Sequence, residues 1–314
     1  MITIEKRKIS LISPFYNEEK GVQAFFQRIN EVFAPLAERY DLEVIAINDG
    51  SRDRTYEELV RAKAVNDYLT VVDLSRNFGK EAAISAGLDF ATGDAVIPID
   101  SDLQHPPEVI LELIEKWEEG AEVVLAKRVD RETDRAIQKF TANSFYKLHN
   151  RISDIDIPAD VGDFRLMDRK VVEALKTLPE TRRFMKGLFA WVGFRTTTIE
   201  YKVAPREHGT TSFNTWKLWN FALEGITSFS SAPLRVWTYL GCAVSAFSFL
   251  YAAYLLIKTI FFGIDTPGYA SIMITVLFAS GVQLIGIGVL GEYVGRIFAE
   301  SKKRPVYIVR DVIK

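Results

Sequence analysis

The chain has 314 residues, of which 48% are hydrophobic and 25% charged, and its formal net charge at pH 7 is −2. This length suits one large domain with an appendage, or two domains, and the composition is that of a globular protein. The balanced charge gives no reason to expect a nucleic-acid partner. The single cysteine, Cys242, excludes a disulfide framework and fits an intracellular domain.

Strand-like and helix-like patterns alternate through the N-terminal part of the chain. Short apolar segments, partly β-branched, predict five strands at residues 9–13, 42–48, 69–74, 95–99 and 122–126. Helical periodicity between them predicts helices at residues 18–39, 55–65, 80–90 and 107–117. Because strands that alternate with such helices form crossover units, the sequence predicts an α/β domain with a parallel, Rossmann-like sheet.

Clusters of polar residues follow the first four predicted strands. They occupy residues 14–18, 48–53, 75–80 and 100–105. In open parallel sheets, ligands bind beyond the carboxyl ends of the strands, where these four clusters would meet. The pattern therefore predicts a nucleotide site at this edge of the sheet.

The region after the fifth predicted strand is basic. Residues 127–152 form a basic, amphipathic stretch, and residues 162–169 are predicted to be a polar turn that leads into a helix. A helix predicted at residues 213–229 has Trp216 and Trp219 near one side, which is typical of a helix in a membrane interface. The alternative is a helix docked on the soluble domain.

Two segments near the C-terminus have no charged residue, at positions 236–257 and 266–291. Each exceeds the roughly 20 residues that a helix needs to cross a bilayer, so we predict two transmembrane helices rather than two buried core helices. The connector 263–268 has no lysine or arginine, whereas basic residues flank the outer ends of the pair, among them Arg235 and Arg296. The positive-inside rule then places both termini and the soluble domain in the cytoplasm.

The segment Asp100-Ser101-Asp102 carries the most specific chemistry. Residues two apart on an extended chain face the same side, so Asp100 and Asp102 present two carboxylates at the end of the fourth strand. Such hard oxygen ligands suit Mg²⁺ or Mn²⁺, with diphosphate oxygens and water completing the coordination shell. By itself, an Asp-x-Asp segment can also be a solvated turn.

Two other clusters have both a functional and a structural interpretation. Asp49, in Asn48-Asp49-Gly50-Ser51, can accept hydrogen bonds from a base or ribose, or can cap a helix near Thr55. In the cluster 14–18, Tyr16 can stack on a base, while Glu18 can favour a helix N-terminus.

These motifs together resemble family 2 glycosyltransferases of the GT-A fold. The resemblance also includes the segments 75–80, 162–166 and 206–209, and the C-terminal Gly291-Glu292-Tyr293-Val294-Gly295-Arg296. Within the family, the chain looks like the polyprenyl-phosphate enzymes, a group with dolichyl-phosphate mannose synthase and the bactoprenol glucosyltransferases. Asn48 departs from the pattern, because many relatives have an aspartate there.

The resemblance implies a role for each matching position. It implies nucleotide contacts from Pro14, Tyr16, Glu18 and Asp49, and it implies that Asp100, Asp102 and Gln104 hold the metal and the donor diphosphate. For the lipid phosphate it implies Arg128, Lys139, Ser144 and Arg206, although each of the three cations among them can also be part of a solvated charged face. The resemblance further implies a homo-oligomer.

The implied reaction is the inverting transfer of a hexose from a nucleotide-diphosphate sugar to a polyprenyl phosphate, at the cytoplasmic face of the plasma membrane. We expect UDP-glucose and undecaprenyl phosphate as substrates, with Asp102 as a metal-binding catalytic residue. Asp163 is expected to orient an acceptor or sugar hydroxyl or to act as a base, unless it caps the helix near Asp168.

Two alternatives compete with this expectation. A processive polysaccharide synthase would carry a Gln-x-x-Arg-Trp motif, which residues 182–191 lack, and a non-catalytic scaffold would not need intact carboxylates. The predicted organisation is a GT-A catalytic domain (1–210), a juxtamembrane amphipathic helix (211–234), two transmembrane helices (235–298) and a cytoplasmic tail (299–314).

Overall fold

The computed structural model describes residues 6–129, 161–181, 183–202, 232–262 and 268–314. Its strands form one sheet in the order β7-β5-β6-β4-β1-β2-β3-β8. The strands are β1 (Arg7–Phe15), β2 (Tyr40–Asn48), β3 (Leu69–Leu74), β4 (Ala95–Pro98), β5 (Val123–Arg128), β6 (Val161–Asp168), β7 (Thr196–Tyr201) and β8 (Val309–Ile313).

The N-terminal half of the sheet confirms the predicted crossover units. Strands β4, β1, β2 and β3 are neighbours and run parallel. The intervening helices are α1 (Val22–Phe33), followed by a 3-10 turn (Ala34–Leu36), α2 (Thr55–Lys63), α3 (Lys80–Phe90) and α4 (Val109–Glu118). These strands are nearly continuous apolar runs because both faces of the sheet are covered by helices.

The sheet is mixed rather than fully parallel, which corrects the prediction for its other half. β6 lies between β4 and β5 and is antiparallel to both, and β8 is antiparallel to β3. β6 spans the segment predicted to be a polar turn at 162–169, so that prediction is wrong. Phe164, Leu166 and Met167 are buried in this strand, but the charged Asp163 and Arg165 hide its apolar pattern in the sequence.

Helices cover both faces of the sheet and create two hydrophobic clusters. One cluster joins the sheet to α1, α2 and α4. The other joins it to α3, α5 (Arg169–Lys176) and α6 (Met185–Trp191). Asp168 caps α5, because its side chain accepts a hydrogen bond from the Lys170 amide at 3.1 Å.

Two long helices follow the α/β domain, α7 (Ala232–Phe262) and α8 (Tyr269–Ser301). Within the described residues, one helical segment, Phe278–Ser301, is long and apolar enough to cross a membrane, and Val236–Tyr251 is a shorter apolar segment. The ring of Trp237 on α7 packs beside Gly286 of α8. The interfacial helix predicted at 213–229 lies outside the described residues.

The last residues of the chain return to the sheet. β8 pairs with β3, the Tyr307 hydroxyl donates to Asp89 at 2.6 Å, and the Thr181 amide donates to Glu300 at 3.0 Å. Part of the segment expected to be a tail (299–314) is therefore an edge strand of the sheet. The other predicted domain boundaries stay predictions.

Candidate active site

A cleft of about 330 Å³ opens at the carboxyl ends of β1, β2 and β4. This is the edge at which the sequence predicts a nucleotide site. Six of the predicted site residues line it, namely Pro14, Tyr16, Glu18, Asp49, Asp100 and Asp102. Residues Phe15, Asn77, Gly79, Lys80 and Ser101 complete its lining.

Hydrogen bonds between the first two loops fix one wall of the cleft. The Asp49 amide donates to the carbonyl of Phe15 at 2.9 Å, which continues the pairing of β1 with β2. Asn17 has a φ of 57° and accepts a hydrogen bond from the Arg52 amide at 2.8 Å through its side chain. The two loops therefore form one rigid unit around Tyr16.

Asp49 binds the backbone of the third loop. Its carboxylate accepts hydrogen bonds from the amides of Phe78 and Gly79 at 2.7 and 2.9 Å. Burial raises the pKa of Asp49, and the two amides partly offset this effect. The alternative role as a helix cap is wrong, because Asp53 instead accepts from the Thr55 amide at 3.0 Å, where α2 begins.

Gly50 allows the second and third loops to touch. Its φ is +62°, and a Cβ atom at this position would overlap the backbone of Arg76 and Asn77. Glycine avoids both the left-handed backbone penalty and the overlap. Asp49 is therefore held by a turn that tolerates no side chain at the next position.

Lys80 joins two acidic residues of the site. Its Nζ lies 2.7 Å from Asp100 Oδ1 and 3.0 Å from Asp163 Oδ2. Burial disfavours the charged forms of all three groups, but their pairing outweighs it. The pKa of Lys80 is raised and the pKa values of Asp100 and Asp163 are lowered. The ammonium thus keeps both carboxylates ionised.

The Asp100 and Asp102 carboxylates fit a divalent cation. Both line the cleft, and the Gln104 amide donates to Asp102 Oδ1 at 3.1 Å. Gln104 itself is next to the cleft rather than among its lining residues. The described residues contain no cluster of three or more metal-ligating side chains. Two hard oxygen donors therefore suit a cation that takes its other ligands from a bound diphosphate.

His105 connects Asp100 to Tyr201. Its Nε2 lies 3.5 Å from Asp100 Oδ2, and its Nδ1 lies 2.6 Å from the Tyr201 hydroxyl. Burial raises the pKa of Tyr201 to about 12, so this hydroxyl stays protonated. With Tyr201 as the donor to Nδ1, the Nε2–H faces Asp100 and fixes its orientation.

A cluster of charged residues lies beyond Asp163. Glu81 accepts a hydrogen bond from the Met185 amide at 3.1 Å, and burial raises the pKa of Glu81 to about 8. The Arg165 guanidinium lies 4.0 Å from the Phe189 ring centroid, and burial lowers the pKa of Arg165 to about 10. Across the described residues, Asp163 Oδ1 is buried and has no hydrogen-bond partner.

Lys80, Glu81 and Arg165 were not among the site residues predicted from the sequence. The signal for Lys80 was present, since it closes the third polar loop at the predicted edge of the sheet. Arg165 gave no usable signal, because it lay in a segment that was predicted to be a turn. His105 adjoins the aspartate pair in the sequence, but only the fold brings Tyr201 to it.

The predicted contacts to the lipid phosphate are only partly described. Arg128 is the last residue of β5, is half-buried, and pairs in register with Tyr201 of β7. Arg128 therefore lies at the carboxyl ends of β5 and β7, next to the Tyr201 that contacts His105. Lys139, Ser144 and Arg206 lie outside the described residues.

The fold and the cleft together define a nucleotide-binding α/β domain of the GT-A kind, followed by a long helical pair. Residues 10–176 match the model of glycosyl transferase family 2, and residues 232–297 match the GtrB C-terminal hairpin. The chain belongs to glycosyl transferase family 2 and is a glycosyltransferase.

Close relatives span nearly the whole chain. A bactoprenol glucosyl transferase of Shigella phage SfV is 56% identical over 97% of this chain and 98% of its own length. A prophage bactoprenol glucosyl transferase homolog of Escherichia coli K12 is 54% identical over 98% of this chain and 100% of its own.

A solved structure has the same fold at low sequence identity. It is a mannosyltransferase of Pyrobaculum calidifontis in complex with GDP-Man and Mn²⁺. The match is 20% identical, covers 96% of this chain and 87% of the other, and has a TM-score of 0.50. This likeness supports the GT-A-like architecture.

Proposed function

We propose that the protein transfers glucose from UDP-glucose to a polyprenyl phosphate, with inversion at the anomeric carbon. The observation that carries this proposal is the cleft in which Asp49, Asp100 and Asp102, from two different strand ends, line one space. The substrates are those expected from the bactoprenol glucosyl transferases that share more than half of its residues.

The nucleotide binds at one end of the cleft and its diphosphate at the other. Tyr16 is 43% exposed and is available to stack on the base, while Asp49 and Glu18 accept hydrogen bonds from base or ribose. Asp100 and Asp102, with Gln104 beside them, hold Mg²⁺ or Mn²⁺. The Mn²⁺ and GDP-Man of the archaeal mannosyltransferase support this assignment.

The chemistry is a direct displacement by the acceptor phosphate. A phosphate monoester has its second pKa near 6 and is mostly dianionic at neutral pH, so it needs no strong general base. The bound cation would stabilise charge on the departing nucleoside diphosphate. The protein must bring two anions together, and Lys80 and Arg128 supply positive charge beside the cleft. Lys139 and Arg206 are further candidate cations, and the Ser144 hydroxyl is a candidate hydrogen-bond donor to the lipid phosphate.

Asp163 has two possible tasks in this reaction. It either acts as a base or positions the acceptor or a sugar hydroxyl. Its ion pair with Lys80 favours positioning, because Lys80 lowers the pKa of the Asp163 carboxyl and so makes it a weaker proton acceptor. Because Lys80 also contacts Asp100, it keeps Asp163 close to one of the two carboxylates proposed to hold the metal ion.

We further propose that α7 and α8 both lie in the membrane, with the soluble domain at the cytoplasmic face. Large apolar side chains on both helices are exposed, including Phe249 at 77% and Leu284 at 68%. Such an apolar surface is unfavourable in water and favourable in lipid. The helix predicted at 213–229 would lie in the interface, and the protein would act as a homo-oligomer.

The test is incubation of the purified full-length protein with Mg²⁺ or Mn²⁺, undecaprenyl phosphate and labelled UDP-glucose, followed by lipid extraction. We expect label in a lipid product that is released by mild acid, and no label without the divalent cation. UDP-galactose and GDP-mannose serve as control donors, which differ from UDP-glucose in the sugar and in both the sugar and the nucleotide, respectively. A labelled polymer would favour a processive synthase, and the absence of nucleotide release with any donor would favour a scaffold.

A further inference from the structure

The C-terminal strand β8 lies beside the loop that carries part of the donor cleft. β8 pairs with β3 so that Asp311 is opposite Asp73 and Val309 is opposite Leu74. The Ser75 amide then donates to the carbonyl of Ile308 at 2.9 Å. A strand that follows α8 in the chain therefore covers the edge of β3 as far as the first residue of the loop 75–79.

Arg310 of β8 makes two polar contacts at the end of β3. One guanidinium nitrogen lies 3.2 Å from Asp73 Oδ2, and the other donates to the carbonyl of Ser75 at 2.7 Å. Asp73 is 2% exposed, and its other carboxylate oxygen accepts a hydrogen bond from the Asn48 side chain at 2.7 Å. Arg310 and Asn48 thus compensate a carboxylate that would be costly to bury without partners.

This arrangement accounts for asparagine at position 48. An aspartate there would place a second carboxylate against Asp73 at the same buried point, which is unfavourable. The amide side chain of Asn48 is instead a neutral donor to Asp73. Arg310, Asp73 and Asn48 form one hydrogen-bonded chain that ends at the residue before Asp49.

The loop that Arg310 anchors leads to the Asp49 carboxylate. Only two residues separate Ser75 from Phe78, whose amide donates to Asp49 together with that of Gly79. Gly50 lies against the backbone of Arg76 and Asn77, so a shift of this loop would also disturb the turn that follows Asp49. A displacement at Ser75 would therefore be transmitted to Asp49 in the donor cleft.

We propose that Arg310 is a positioning residue for the donor site. It holds the Ser75 carbonyl and the Asp73 carboxylate, and through them it keeps the Phe78 and Gly79 amides on Asp49. Arg310 acts through the loop, since the residues that line the cleft do not include it. The choice of UDP as the ligand to be measured rests on the proposed function. The anchoring of the loop by Arg310 rests only on the contacts described above.

The experiment compares Arg310→Ala, Arg310→Lys and Arg304→Ala in the full-length protein in detergent. In Arg310→Ala we expect faster hydrogen exchange at the Phe78 and Gly79 amides, and a Kd for UDP and a KM for UDP-glucose raised about tenfold, with kcat changed much less. Arg310→Lys retains a cation for Asp73 and should lie in between. Arg304→Ala removes an exposed cation of the same segment and should match the wild type.

Hydrogen exchange separates the inference from the proposed function, because it needs neither donor nor acceptor. If the protein transferred no glucose, the proposed function would fail, but faster exchange in Arg310→Ala would still support the anchoring role. Unchanged exchange at both amides in Arg310→Ala and Arg310→Lys would overturn the inference. A lower Tm with an unchanged Kd for UDP would also overturn it, since it would indicate a purely structural role.

Discussion

At the scale of single residues, the site depends on acidic groups held close together by one lysine. Lys80 contacts Asp100 and Asp163, and His105 contacts Asp100 from another direction. Each carboxylate therefore has a fixed position before any substrate binds. Such preorganisation reduces the reorganisation needed when charge develops in the reaction.

Asp102 is expected to be essential for cation-dependent turnover. Asp102→Ala removes one of two hard oxygen donors, so we expect turnover to fall by about 100-fold or more, in line with the several kcal/mol that a metal ion contributes. Circular dichroism should show an intact fold. Asp67→Ala, at an exposed carboxylate remote from the cleft, is the control, and full activity of Asp102→Ala would refute the cation site.

Asp163→Asn distinguishes a base from a positioning group. Removal of a general base typically lowers the rate by about 10²- to 10⁴-fold. Since the acceptor phosphate is already ionised, we expect a smaller loss in kcat, with a flat rate profile between pH 7 and 9. A loss of more than about 100-fold would instead assign proton abstraction to Asp163.

Glu81 gives the soluble domain a pH-dependent stability. Burial raises its pKa to about 8, whereas an unfolded glutamate titrates near 4.3. Between these values the folded state binds more protons than the unfolded state, so this contribution to stability is lost as the pH rises towards 8. Glu81→Gln removes the titration and keeps an acceptor for the Met185 amide.

We therefore expect the Tm of Glu81→Gln to exceed that of the wild type by about 3 °C or more at pH 8.5, and by much less near pH 5. Thermal unfolding in detergent followed by tryptophan fluorescence measures the difference. A Tm difference that does not change with pH would show that Glu81 is ionised in the folded protein.

At the scale of secondary structure elements, the loops between strands and helices carry the function. α3 begins at Lys80, immediately after Gly79 with a φ of 99°. That turn directs the lysine into the cleft, while the preceding amides bind Asp49. α1 begins at Val22 rather than at the predicted residue 18, because the cluster 14–18 is part of the cleft wall.

Gly50→Ala tests the contact between the second and third loops. Gly193→Ala is a matched control, because Gly193 has a similar φ of +69° but an ordinary distance of 3.8 Å from the added Cβ to the Trp191 carbonyl. We expect Gly193→Ala to cost about 1 kcal/mol and to leave UDP binding unchanged. Gly50→Ala should cost more and weaken UDP binding in calorimetry, and equal effects of the two variants would contradict the loop contact.

At the scale of the whole molecule, the sheet links the donor site to the C-terminal helices. β8 covers the edge of β3, and the Thr181 amide binds Glu300 near the end of α8. An uncovered edge strand is prone to pair with other chains. The return of the chain to the sheet therefore pairs the strand β3 and holds the end of α8 beside the α/β domain.

The proposed topology can be tested by cysteine labelling, because the chain has one cysteine. In a Cys242→Ser background, a membrane-impermeant maleimide added to intact spheroplasts should label Asp265→Cys in the connector, but not Lys303→Cys. Lysis should expose the second site. Labelling of Lys303→Cys in intact spheroplasts would contradict a cytoplasmic C-terminus.

The sequence predicted the parallel half of the sheet and six residues of the cleft. Continuous apolar strands, amphipathic helices and polar strand ends are local patterns, and a parallel crossover sheet brings those ends to one edge. The bounds of β3 (Leu69–Leu74) and α3 (Lys80–Phe90) were predicted without error. The pair Asp100 and Asp102 was predicted from its spacing together with its position after the fourth strand, at the same edge as three other polar loops.

The class of fold, the sheet edge at which the cleft opens and the acidic pair follow from local sequence patterns. Tertiary structure decided the rest, including the antiparallel placement of β6, the return of β8 to β3 and the ion pairs of Lys80. These features join residues far apart in the chain, and β6 carries the buried charges of Asp163 and Arg165, which resemble those of a solvent-exposed turn in the sequence. Their burial is favourable only because distant partners compensate those charges, and local periodicity contains no information about such partners.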